Sequence, residues 1–125
     1  ELRAPAAPGA GPPPDPVLLQ YAGVSFLLAG RPERARPLLE ELVSGRQGRV
    51  EREWYEAMIS CWLDLERIDR ARQVVERLLG DHGAEPGAWR LAAQIAATDR
   101  DYARAAADLI VADHLQPLPL AERIG

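Results

Sequence analysis

Two stretches of the 125-residue chain nearly repeat each other: RARPLLEELV at Arg34–Val43 and RARQVVERLL at Arg70–Leu79, 36 positions apart. In the first, Ala35, Leu38, Leu39, Leu42 and Val43 fall at i, i+3, i+4, i+7 and i+8, one apolar stripe along a helix. Ala71, Val74, Val75, Leu78 and Leu79 repeat those offsets. Gly45 and Gly80 follow the stripes where helix terminators are expected. A second apolar helix precedes each echo, in PVLLQYAGVSFLLAG and REWYEAMISCWLDL, so the unit is helix, short turn, helix. One such hairpin cannot bury its apolar face alone. Stacked copies share a core, and about three are needed before burial outweighs ordering entropy. The echo is therefore architecture and not a duplicated active site.

A third unit follows in PGAWRLAAQIAATDRDYARAAADLIVADHLQPLP. Aligning Ala103 with Ala71 gives the fuller stripe in its second helix. Aligning Ala105 instead gives a repeat of 34 and accounts for both helices and for Pro117, so that register is adopted. Pro37 breaks a local rule: it removes a hydrogen bond to the Glu33 carbonyl if its helix starts at Pro32, at about 3 kcal/mol in a regular helix. Either the helix bends there or it begins at Pro37.

Composition narrows the function. The formal charge of −4 opposes general binding to nucleic acid or to anionic membranes. All fifteen basic residues are arginine. Cys61 is the only cysteine, which excludes an intrachain disulfide and a thiolate metal cluster, and its apolar surroundings make it a buried structural thiol. No run approaches the roughly 18 apolar residues of a membrane span. Residues 1–16 hold six of the eleven prolines and one large apolar side chain, Leu2. Residues 1–15 are thus expected to be a disordered Pro/Ala-rich tether, ending where Asp15 caps a helix with Pro16 at its first position. Starting at Glu1 without methionine, the chain is expected to be a processed or excised piece.

Catalytic motifs are absent: there is no HExxH, P-loop, GxGxxG or GxSxG. His82 and His114 lie in different units and are read as surface or capping residues. Glu51, Glu53 and Glu56 gather at a helix N-terminus, where the dipole already favours them. No metal site, cofactor or catalytic residue is assigned. Arg34, Arg70 and Arg104 occupy one repeat position early in a second helix, where cations are disfavoured. Pairing with nearby Glu33, Asp69 and Asp101 is expected, and an anion-binding ridge is the alternative.

A period near 34 with two helices per unit resembles the tetratricopeptide repeat family over residues 16–119, in units 16–51, 52–85 and 86–119. Tyr55 and Trp89 match the family's early aromatic, and Leu19 does not. Gly23 and Ala93 match its small helix-facing residue, and Ile59 departs. Phe26 and Trp62 fill the next bulky position, where Ala96 is undersized. Ala35, Ala71 and Ala105 match throughout, and Pro117 is the closing proline. Trp54, Tyr55, Trp62 and Trp89 are expected to support packing between units.

The resemblance implies an all-α array of antiparallel helix pairs stacked as a right-handed superhelical solenoid. It also implies a non-catalytic scaffold that holds a protein or peptide in a concave groove. Carried over by position, the groove comprises Val17, Gln20, Val24 and Leu27, then Glu53, Glu56, Ser60 and Leu63, then Arg90, Gln94 and Thr98. A Lys/Asn-rich clamp for chaperone tails is not expected, since Gln20 and Val24 replace its first residues and the chain lacks lysine. The tether and the second unit are similar to bacterial envelope members, including those accompanying TonB-type energy-transducing complexes, so a periplasmic or envelope location is favoured over the cytoplasm. An accessory domain of an enzyme lying outside this sequence and a helical-repeat nucleic-acid binder using the arginine ridge are the alternatives. Residues 120–125 read as the start of a further helix or a truncated repeat. Too short to cap the array, they should leave apolar surface around Leu109, Ala112 and Leu115, giving weak self-association.

Overall fold

The computed structural model describes residues 14–115. Six helices follow in order: α1 Pro16–Leu28, α2 Pro32–Val43, α3 Arg52–Asp64, α4 Ile68–His82, α5 Pro86–Thr98 and α6 Tyr102–Leu115. Among the described residues there is no strand. The all-α helix-pair fold expected from the echo is the fold found. Most of the proposed tether, the closing Pro117 and the segment 120–125 lie outside the described residues.

The chain divides into two compact units, one ending at Cys61 and the other starting at Trp62, so that α3 runs across the division. In the first unit α1 starts as its sequence dictates: the Asp15 carboxylate accepts a hydrogen bond from the Val17 amide at 2.9 Å, with Pro16 following as the first helical residue. Helix α1 packs on α2. Gly23 permits the close approach, because a β-carbon there would stand 2.8 Å from Leu39 Cδ2. Ala35, Leu39 and Leu42 of α2 are fully buried. The helix starts at Pro32 and continues through Pro37, so Pro37 is an interior residue and not the start. Glu41 organises the loop that follows, its carboxylate accepting from Arg46 at 2.8 Å and from Gln47 at 3.4 Å. Trp54, Tyr55, Met58 and Ile59 of α3 are buried, and Cys61 Sγ donates to the Pro32 carbonyl at 3.3 Å.

In the second unit α5 packs against both α4 and α6. Ala71, Val74, Val75 and Leu78 supply the buried stripe of α4. Alanine dominates the rest: Ala88, Ala92, Ala93, Ala96, Ala105 and Ala112 are all buried, and Ala93, Ala96 and Ala105 form a cluster. Ala105 is buried and Ala103 exposed. Gly80 is not a helix terminator: α4 continues to His82 and is capped at Gly83. His82 is buried rather than on the surface, its Nδ1 meeting Glu85 Oε2 at 2.5 Å. Trp89 is half-buried and donates its indole N–H to the Gly83 carbonyl at 2.7 Å.

One turn recurs inside every pair. Gly30, Glu66 and Arg100 each adopt positive φ, at 74°, 59° and 63°. Their amides donate to Leu27, Leu63 and Ala97, at 3.0, 2.9 and 2.9 Å. The amides of the next residues, Arg31, Arg67 and Asp101, reach back to Phe26, Trp62 and Ala96, each at 2.8 Å. These are paired 5→2 and 6→1 bonds, the Schellman arrangement that satisfies the last carbonyls of a helix. The repeat is thus written in backbone geometry as well as in side chains.

Candidate interaction surface

The candidate groove positions fall on the first helix of each pair. In the first unit Val17, Gln20, Val24 and Leu27 are spaced i, i+3, i+7 and i+10 along α1, and Glu53, Glu56 and Ser60 are spaced i, i+3 and i+7 along α3. The structure ties the two sets together at one point: Trp54 Nε1 donates to the Gln20 side-chain oxygen at 3.0 Å. That bond occupies the acceptor of Gln20 and fixes its rotamer beside the start of α3. Glu53 and Ser60 are exposed, whereas Glu56 is half-buried and pairs with Arg52 at 3.2 Å. Val17 is exposed, and Val24 and Leu27 are half-buried.

In the second unit Leu63 is half-buried at the end of α3. Arg90, Gln94 and Thr98 are all exposed at i, i+4 and i+8 on α5. The Thr98 hydroxyl donates back to the Gln94 carbonyl at 2.9 Å, which leaves the Gln94 amide and the Arg90 guanidinium as the projecting polar groups.

The three arginines of the proposed ridge have different surroundings. Arg104 donates to Asp108 at 3.1 Å and reaches Glu76 at 3.4 Å. Arg70 lies over the Trp62 ring, 5.7 Å from its centroid, and Arg34 is exposed. The expected acids are not their side-chain partners. Glu33 pairs with Arg31 at 3.1 Å and Asp69 with Arg67 at 3.0 Å, in each case within the turn entering a second helix. Asp101 is held at 3.1 Å by Arg72, which also grips Asp99 at 2.8 Å. The backbone amide of Arg104 does donate to Asp101, at 3.3 Å.

These contacts lower the acid pKa values. Hydrogen bonding to Arg72 holds Asp101 below the ordinary carboxylate range, and hydrogen bonding to Arg67 does the same for Asp69. For Glu33 the larger cause is a backbone hydrogen bond, followed by Arg31. A crevice beside Arg72, Arg104 and the buried Asp108 measures about 10 Å³, room for about one water and no more.

Sequence reasoning missed a second surface. Leu18, Tyr21 and Leu28 of α1 are 65%, 76% and 84% exposed, and with Val17 they give that helix an apolar outer face. The signal was present, because α1 carries no charged residue and hence has no solvent face to sort from a core face.

Comparison with known proteins follows the geometry. A tetratricopeptide repeat family model matches residues 26–95. Among solved structures, PcrH in complex with the chaperone binding region of PopB is similar at a TM-score of 0.68 and 18% identity, over 82% of this chain and 83% of that one. MamA MSR-1 C2 is similar at a TM-score of 0.66 and 18% identity, over 95% of this chain and 62% of that one. No curated protein matches the sequence. The family match spans more than half of the chain, and the helix pairs with their recurring turn carry the same pattern through α6: the chain belongs to the tetratricopeptide repeat family.

Proposed function

We propose that the chain is a protein-interaction scaffold that uses the first helices of its repeats to hold a peptide or helical segment of a partner. The observation that carries this reading is the run Arg90, Gln94 and Thr98, exposed at i, i+4 and i+8 on α5 while the flanking positions Ala88, Ala92, Ala93 and Ala96 are buried. A helix that spends its apolar residues on packing and keeps one polar stripe free is suited to recognition by hydrogen bond and charge. On α3 Glu53 offers the opposite charge, and on α1 Val17, Val24 and Leu27 offer apolar contact. In the second unit Arg90 suits an acidic group of a partner segment; in the first unit Glu53 suits a basic group and α1 an apolar stretch. PcrH, the structural neighbour, was captured with a peptide region of another protein, which supports a peptide ligand here by analogy. The Pro/Ala-rich opening segment fits attachment to a larger bacterial envelope assembly.

The test is charge reversal at Arg90 and Glu53, two exposed residues. Glu56 serves less well because its bond to Arg52 gives it a structural share. Partners captured from the native organism should be lost with Arg90→Glu and with Glu53→Arg, while helix content is unchanged and stability moves by less than about 0.5 kcal/mol. Undiminished capture by both variants would move the binding surface elsewhere.

A further inference from the structure

We infer, on the strength of the groove proposed above, that Gln20 reads the main chain of the bound segment. Held in one orientation by Trp54, it donates a hydrogen bond to a backbone carbonyl of an uncharged apolar stretch lying on the first unit. Trp54 Nε1 donates to Gln20 Oε1 at 3.0 Å, and the indole is buried. An indole N–H is a donor only, so the oxygen of the Gln20 amide has to face it. The two N–H bonds of Nε2 are then the donors that this half-buried side chain has left. Among the described residues no acceptor takes them.

The surroundings decide what can meet those donors. Val17, Val24 and Leu27 share the groove positions of α1 with Gln20, at i−3, i+4 and i+7, and α1 has no charged residue. Apolar side chains of a partner match these three, and such side chains bring no acceptor of their own. The acceptor is therefore a main-chain carbonyl, and one that a helix has not already used internally. The stretch crosses Gln20 in an extended form. A carboxylate is disfavoured there, because the groove positions of the first unit hold no cation. Glu53 is exposed and acidic, and Glu56 is matched to Arg52.

The bond is not part of the common repeat pattern. Gln20 and Trp54 stand 34 positions apart, and 34 positions beyond Trp54 lies Ala88, which has no side-chain donor. A bond that belonged to repeat packing in general would recur there.

The probe is a phage-displayed library of random twelve-residue peptides, panned on the whole chain, with the enriched peptides then synthesised and their Kd measured. They should share an uncharged apolar run whose carbon-13 shifts, in the bound state, are those of extended chain. Gln20→Met removes the donors without adding charge and should weaken these peptides about fivefold to tenfold, the worth of one hydrogen bond. Gln20→Glu keeps an acceptor for Trp54 but turns the donor end into an acceptor, so it should weaken them further. Trp54→Phe frees the Gln20 amide to rotate and should cost about threefold in wild type and nothing in the Gln20→Met background. The same loss in both backgrounds would reduce Trp54 to packing and overturn its positioning role. If Trp54→Phe loses its helical circular dichroism, the two Gln20 variants decide. Unchanged Kd in both of them, with binding abolished by Glu53→Arg, overturns this inference and leaves the groove standing, as does a bound run that is helical or acidic. Unchanged Kd in the Gln20 variants, Glu53→Arg and Arg90→Glu alike overturns the groove as well, and so does a library that yields no binder.

Discussion

Gly30 stands at φ +74° with open space where a β-carbon would go, so nothing but backbone preference decides what can sit there. Gly30→Ala should lower stability by about 1 kcal/mol through the left-handed penalty alone. The equivalent turns already bear that penalty, because Glu66 and Arg100 hold the same conformation with side chains attached. Glu66→Gly and Arg100→Gly should therefore each raise stability by about 1 kcal/mol, read as a higher urea midpoint. A fall in either midpoint would mean the side chain contributes more than its conformation costs. Gly23 is a different kind of glycine. Its constraint is steric, and Gly23→Val should cost about 2 kcal/mol by driving into the fully buried Leu39. Asp101 supplies a titration test. Its folded pKa is depressed by the Arg72 hydrogen bond, so its stabilising share is complete above the unfolded value near 4 and is lost as pH falls through the folded value. Arg72→Ala should move the Asp101 midpoint, followed by carboxyl NMR, up towards the ordinary range.

Among the elements, α2 is the one that carries a known defect. Pro37 is exposed in its interior, and the Glu33 carbonyl lacks the usual amide from that position. Pro37→Ala should restore the bond and raise stability by at least about 1 kcal/mol, measured by denaturant unfolding. Helix α1 is unusual for having no polar face. Most element positions were legible in the sequence, since the stripes from Ala35 to Val43 and from Ala71 to Leu79 specify a helix in one orientation. Asp15–Pro16 likewise marked a start that the cap geometry reproduces. The ends were harder. Gly80 looked like a stop, but α4 gains another half turn because His82 is buried and bonded to Glu85. The recurring turn was invisible in two of three places, because its signature is glycine and Glu66 and Arg100 replace it. Arginine pairing was misread for a related reason. Neighbours in sequence suggested Arg34, Arg70 and Arg104 for Glu33, Asp69 and Asp101, but turn geometry gives the first two acids to Arg31 and Arg67, and fold geometry gives the third to Arg72. Ala112, expected on an open apolar patch, faces inward, and the large apolar residues that α6 exposes are Tyr102, Leu109 and Ile110.

Across the whole molecule the core is uneven. The first unit buries Leu39, Leu42, Tyr55, Met58 and Ile59, whereas α5 and α6 rely on alanine. At roughly 0.8 kcal/mol per buried methylene, each leucine-for-alanine difference is worth about 2 kcal/mol. Hydrogen exchange read by mass spectrometry should therefore find α5 and α6 opening at lower free energy than α2 and the buried part of α3. Equal protection in the two regions would show that alanine packing compensates through close helix approach. The lone thiol reports on the better-packed region from within. Cys61 is sealed against the Pro32 carbonyl, and there is no other cysteine to react. A thiol reagent added to the native protein thus has a single target that it can reach only when α3 parts from the start of α2. The rate of colour release would be a clock for that one opening, without any label having to be engineered in.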